Sequence, residues 1–175
     1  MDRIDSAILR LIQDDAELSI QEIAGKVGLS STPCWRRIQK LEESGVIRKR
    51  VALLDPEKLN LAVTVFVAVR TNQHNQAWWE RFKKAVAAIP EVVEFYRMSG
   101  EVDYLLRVVV PDIAAYDEVY KRLIEAVDLY DVSSSFAMER LKSTTALPLH
   151  FVDTGGHGEA RARRRASPAK ARRAR

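Results

Sequence analysis

At 175 residues with 47% apolar side chains, the chain can fill one large or two small cores, and no run of about 18 uninterrupted apolar residues points to a membrane span. The single cysteine, Cys34, excludes an internal disulfide, and the acidic, amphipathic start MDRIDSAIL is unlike a secretory leader, so a cytoplasmic protein is expected. The formal charge of +4 is uneven: residues 159–175 carry seven Arg and one Lys against one Glu, or +7, which leaves −3 for everything before them.

Residues 2–14 place Ile4, Ile8, Leu11 and Ile12 at helical spacing, and Asp14, Asp15 and Ala16 break the pattern. Ser19 followed by Glu22 predicts a capping box at the start of a second helix, in which hydroxyl and carboxylate satisfy each other's orphan backbone N–H groups. Its stripe is Ile20, Ile23, Ala24 and Val27, and Gly28 stands where a left-handed residue ends it. After the turn Gly28-Leu29-Ser30, a third helix is expected, capped by Ser30 or Ser31, with Pro33 in its first turn and Gly45 at its end. These three helices predict a DNA-reading helix-turn-helix.

On a wheel at about 100° per residue, Cys34, Ile38 and Leu41 share the core side of the third helix. Thr32, Arg36, Gln39 and Lys40 then point outward, Arg37 lies on the flank and Ser31 near the N-terminal tip. A helix entering the major groove needs such groups: Arg can bridge two acceptors of guanine, Gln can bridge adenine, and Ser, Thr and Lys can hold phosphates. Residues 1–60 hold ten Lys plus Arg and ten Asp plus Glu, so affinity for DNA must come from where the charges stand. Val46 to Leu54 reads as a strand or hairpin beside the helices, a wing in which Arg48, Lys49 and Arg50 either touch phosphate or simply line a charged edge; Asp55-Pro56 ends it.

From Leu61 the texture changes to LAVTVFVAVRT, apolar on both faces of a strand. A helix marked by Trp78, Phe82, Val86 and Ile89 comes next and stops at Pro90. EVVEFYRMSG and DYLLRVVV are two strands around the Gly100-Glu101-Val102 turn. A helix with Tyr116, Val119, Tyr120, Leu123 and Val127 on its stripe precedes a last strand in DVSSSFAMERLKST. The order β-α-β-β-α-β predicts a ferredoxin-like antiparallel sheet with both helices on one face. The uncovered face then calls for a second copy, giving a homodimer or a larger ring. The expected fold is α+β: a winged helix-turn-helix over 1–60, a ferredoxin-like βαββαβ domain over 61–150, and an Arg/Ala-rich basic tail over 151–175 that lacks apolar spacing and is expected to be disordered. Such a tail either adds salt-sensitive, sequence-independent affinity for DNA or serves as a solubilising extension.

The segments DRIDSAIL, IAGKVGLSSTPCWRRIQKLEESGVI, ALLDPEKL, SGEVDYLLRVVVPDIAAYD and SSFAMERLKSTTALPL, in that order over about residues 1–150, resemble the leucine-responsive and asparagine-responsive (Lrp/AsnC) feast/famine transcription regulators. The resemblance implies an amino-acid-responsive regulator of amino-acid metabolism genes, associated with the nucleoid and assembled as dimers, tetramers or octamers on a pseudo-palindromic duplex. It also implies an effector site between subunits, carried onto Gly100, Asp103 and Tyr104 of the GxxDY motif with Ser134 and Ser135 nearby. A free amino acid needs an acceptor for its ammonium, which Asp103 or Glu101 can supply, and donors for its carboxylate, which the Gly100 turn and the serines can supply.

No cofactor, metal site or catalytic constellation is expected: His74, His150 and His157 stand at spacings that suit neither a metal nor a triad. Sirohaem decarboxylases resemble the same two-domain plan, but they need a second domain lined with cationic and histidine side chains, and this one offers only His74 and His150. An amino-acid-binding module without DNA contact is a further alternative, against which Arg36, Arg37 and Lys40 speak.

Overall fold

The computed structural model describes residues 1–73 and 75–152. The described chain divides into two compact units, one built from Met1–Ala52 together with residues 143–152, the other from Leu53–Lys142.

The first unit holds α1 (Arg3–Asp14), α2 (Ile20–Val27) and α3 (Ser31–Glu43). Each helix starts where the sequence offers a cap. Asp2 Oδ1 accepts the Asp5 N–H at 2.8 Å while Asp5 Oδ2 accepts the Asp2 N–H at 2.9 Å, a capping box made of two aspartates. Ser19 and Glu22 form the expected box at α2, and Gly28 ends that helix in the left-handed region at φ 72°. Ser30 occupies the N-cap position of α3 but makes no side-chain capping bond. Ile8, Leu9 and Ile12 of α1 meet Ile23 and Ala24 of α2 and Cys34, Ile38 and Leu41 of α3 in one buried cluster. Each fully buried isoleucine contributes roughly 1.5–3 kcal/mol of apolar transfer free energy.

Over residues 46–54 the expected wing strand does not form; that stretch has no regular structure. Its alternation is real, but only Ile47 packs on the trihelical core while Val46, Val51, Leu53 and Leu54 are exposed, so one contact and no continuous packed face supports it as a strand. Ser143 to Val152 returns to the first unit: the Gln13 side chain exchanges two hydrogen bonds with the Leu147 backbone, and Leu149 packs on the trihelical core.

The second unit contains β1 (Val63–Arg70), α4 (Gln76–Ala87), β2 (Val92–Arg97), β3 (Tyr104–Val110), α5 (Ile113–Ala126) and β4 (Asp131–Phe136). The strands lie in the order β2-β3-β1-β4, every pair antiparallel, which is the ferredoxin-like arrangement. Val65, Val67 and Val69 of β1 and Tyr104, Leu106, Val108 and Val110 of β3 turn one face toward Trp78, Phe82 and Val86 of α4 and Tyr116, Val119 and Leu123 of α5. The apolar character of β1 on both faces is thus resolved asymmetrically: Phe66, on its other side, remains 39% exposed. The last strand is shorter than expected, because pairing with β1 stops at Phe136; Met138 and Leu141 beyond it are almost wholly exposed. The tail from residue 153, His74 and His157 lie outside the described residues.

Candidate functional site

The outer surface of α3 is set by its inner one. Cys34, Ile38 and Leu41 are 0, 2 and 6% exposed, and burial pushes the Cys34 thiol up from its ordinary value, so it acts as a small apolar side chain. At 100° per residue, fixing those three inward leaves Thr32, Arg36 and Lys40 exposed on the opposite side, with Ser31 exposed at the tip and Gln39 half-buried. Arg36 and Lys40 make no ion pair among the described residues, which leaves their cationic groups available to an anion.

Arg37 has a different environment. Its Nη1 donates to Asp2 Oδ2 and to Asp5 Oδ1, both at 2.7 Å, using the two carboxylate oxygens that the capping box at α1 leaves over. The carboxylates of Asp5 and then Asp2 hold the guanidinium above its ordinary pKa, and Asp2 is lowered by the Asp5 backbone N–H first and by Arg37 second. Arg37, on the flank of α3 as its wheel position implies, therefore ties this helix to the start of α1. An open groove lined by Met1, Asp2, Asp5, Arg36, Arg37 and Lys40 runs along this seam.

One side chain escaped the sequence reading. Trp35 is 46% exposed on α3, next to Arg36, and presents a large apolar face where a base methyl or a sugar could rest. Its wheel position, 100° from Cys34, already separated it from the core stripe.

In the second unit, the turn joining β2 to β3 brings Gly100 to φ 118°, a conformation that favours glycine. A Cβ there would meet nothing within 4 Å, so the backbone and no steric neighbour is what calls for glycine. Asp103 Oδ2 accepts the Thr71 N–H at 2.8 Å and the Asp103 N–H donates to Val69 O at 3.1 Å, which locks this turn to the end of β1. Glu101 stands 3.9 Å from Arg70.

The five residues expected around an effector do not converge within one chain. Tyr104 turns into the helix-covered core, 7% exposed, and stacks on Trp79 at 5.2 Å and 13°. Ser134 faces the same side and its hydroxyl is bonded to the Tyr116 hydroxyl, whereas Ser135, opposite Phe66, lies on the uncovered face. Consecutive strand residues must alternate in this way. Ser134 pairs with Val67, which pairs with Leu106, so β4 lies two strands or about 10 Å from β3, and Asp103 is further still along the sheet. Gly100 and Asp103 form one cluster at the sheet end; the serines form none with them. Among the described residues no cluster of three or more His, Cys, Asp or Glu could hold a metal.

Geometry thus defines a class: a helix-turn-helix unit with an outward cationic ridge, joined in one chain to a split βαβ unit. The comparisons agree part by part. Residues 1–48 match the winged helix-turn-helix DNA-binding model, and residues 64–147 match the Lrp/AsnC ligand binding domain. A crystal structure of an AsnC family transcriptional regulator from Agrobacterium tumefaciens superposes with a TM-score of 0.84 at 64% identity, covering 87% of this chain and 99% of that one. The DNA-binding transcriptional activator DecR of Escherichia coli (strain K12) is 51% identical over 150 residues, 85% of this chain and 99% of its own. A transcriptional regulator of Neisseria meningitidis, solved as a complex with L-Met, has a TM-score of 0.81 at 35% identity, covering 85% of this chain and 97% of its own. This chain belongs to the Lrp/AsnC family of transcriptional regulators, whose two characteristic domains it carries in the expected order.

Proposed function

We propose that the chain binds a pseudo-palindromic duplex as a homo-oligomer, placing α3 of two subunits in successive major grooves, and that a free amino acid modulates this binding. The observation that carries the first part is the burial of Cys34, Ile38 and Leu41, which commits Thr32, Arg36 and Lys40 to the outer surface of a capped helix after a glycine turn. Arg36 is assigned to a base edge, Lys40, Thr32 and Ser31 to phosphates, and Gln39 to an adjoining base. Arg37 is assigned the positioning of the helix. Arg48 and Lys49, exposed beyond α3, are assigned to the flanking DNA backbone.

The amino-acid part rests on the L-Met complex of the Neisseria relative and on the locked turn at Gly100. Asp103 spends one carboxylate oxygen on Thr71, which leaves the other for an ammonium, and the Gly100 turn supplies backbone N–H groups. Tyr104 and Ser134 shape the sheet from its covered side. A second subunit completes the site, since Ser135 and Phe66 lie on an uncovered face that a copy of the chain would bury.

Arg36→Ala tests the reading face: on a duplex selected by the full chain from a random pool, binding weakens by about 1–3 kcal/mol with oligomeric mass unchanged. Equal affinity in a gel-shift titration would remove Arg36 from the interface. For the effector, a thermal-shift screen of the common amino acids identifies a ligand by a raised melting point, and Asp103→Ala abolishes that shift while DNA binding persists.

A further inference from the structure

The chain has three tryptophans, and they divide unevenly. Trp78 is buried with its indole N–H donating to Asp128 O at 3.0 Å, and Trp79 stacks on Tyr104 against the core of the second unit. Trp35 lies outside the trihelical core, and among the described residues no ring stacks on it and no acceptor takes its N–H. An exposed position on a surface helix calls for a polar side chain, and this one holds the largest apolar one.

Its place on α3 narrows what it can meet. At about 100° per residue, Trp35 stands about 40° from both Ser31 and Gln39 and about 160° from Arg37. The Arg37 flank is closed, because its guanidinium is spent on Asp2 and Asp5. The Trp35 flank is open: α3 carries no acidic side chain before Glu42, whose carboxylate accepts from Arg50 at 3.0 Å. A duplex set against Arg36 and Lys40 therefore leans to the Trp35 side. Side chains of a helix lean toward its N-terminus, which directs this indole toward the turn of Ser31 and Thr32, the end of a reading helix that meets base edges.

The floor of the major groove presents oxygen, nitrogen and amino groups and a single apolar one, the C5 methyl of thymine. An indole face laid on a guanine or cytosine edge strips water from groups it cannot hydrogen-bond, whereas on the thymine methyl it buries apolar surface on both sides. Gln39, suited to adenine, is rooted about 6 Å further along the helix axis, a separation of one to two base pairs.

We infer that Trp35 is a specificity-determining residue, its indole face selecting a thymine by its methyl group within one or two base pairs of the adenine that Gln39 reads. The inference rests on the proposed DNA-binding function and adds a discriminating contact beside those of Arg36 and Gln39.

Removing the methyl from the DNA tests it. A duplex selected by the full chain from a random pool is remade with deoxyuridine at each thymine in turn, which keeps the pairing and the O4 acceptor and lacks only the methyl. At one position per half-site the exchange weakens binding by the full chain about fourfold, the worth of one buried methyl, and about fifteenfold when both half-sites carry it. Trp35→Ala binds the thymine duplex more weakly and no longer separates thymine from uridine at that position. Trp35→Phe keeps the distinction, and so does Arg36→Ala, weaker overall. Thr32→Ser, which removes the threonine methyl on the same side of α3, keeps it too. Helix content and oligomeric mass are unchanged in Trp35→Ala; if that variant loses helix, Trp35→Gln is scored in its place.

A flat uridine scan, a Trp35→Ala chain that still separates thymine from uridine, or a distinction that disappears in Thr32→Ser would each overturn the inference. So would a fall in oligomeric mass in Trp35→Ala, which would seat the indole against a second copy of the chain. A full chain that selects no duplex from the pool would sink the regulator reading itself; a selected duplex with a flat scan sinks only the methyl contact.

Discussion

Arg36 and Arg37 are adjacent and carry the same charge, yet they spend it on different partners. Arg36 projects from the exposed side of α3, whereas Arg37 spends its guanidinium on Asp2 and Asp5. Their alanine variants should therefore separate. Arg36→Ala leaves thermal stability alone and weakens DNA binding. Arg37→Ala lowers the stability of the first unit by on the order of 1 kcal/mol, a partly exposed ion pair discounted for solvent screening, and weakens DNA binding through a loosened helix. Thermal melts and duplex titrations on the two proteins check this, and equal melting points would deny Arg37 its structural role. Arg36 was legible because its wheel angle alone places it outside. Arg37 was not, because its partners lie more than thirty residues away in α1 and nothing local announces them.

Two serines precede the two helices of the reading motif, and only one of them works as a cap. Ser19 accepts the Glu22 N–H and receives the Glu22 carboxylate on its own N–H, while Ser30 makes no side-chain bond to α3. Ser19→Ala should cost about 1 kcal/mol and Ser30→Ala markedly less, as urea midpoints would show; equal losses would mean that the cap at α2 contributes nothing particular. The element list itself was readable from local signals: stripes at helical spacing, Gly28 and Gly45 at helix ends, Pro90 after α4. The wing was the exception. Val46 to Leu54 alternates like a strand, yet a strand exists only where another backbone pairs with it, and among the described residues none does. Gly100 and Asp103 lie in one turn, whereas Ser134 and Ser135, though neighbours in sequence, are sent by the pleat to opposite faces.

For the whole molecule, the charged groups that move from their ordinary pKa values define a pH window. Asp2 is lowered from 3.8 chiefly by the Asp5 N–H, and Glu22, Glu91 and Glu94 from 4.5 chiefly by Ser19, Arg122 and Arg107 respectively. A lowered folded-state value means stability that is complete above the ordinary one and lost as pH falls through the folded one. Tyr104 and Tyr116 are raised above 10.0, mainly by burial, and they contribute stability below pH 10 that disappears as pH rises further. Melting points should hence be flat from about pH 5 to 9 and fall on both sides; a protein that melts higher at pH 3 than at pH 7 would contradict the sign of the acid limb.

Residues near one another in sequence decided by themselves where helices start and stop, which stripe of each is apolar, that β1 differs in kind from the chain before it, and the β-α-β-β-α-β order; these come from backbone capping and from the 3.6 and 2.0 periodicities. Only the tertiary structure decided that Arg37 bonds Asp2 and Asp5, that residues 46–54 stay unpaired among the described residues, that Tyr104 and Ser134 face the covered side of the sheet, and that Gln13 and Leu149 bring the chain after Ser143 back to the helix-turn-helix. Each of those depends on a partner far along the chain, and a hydrogen bond or a packed face between distant segments leaves no periodic trace in either of them.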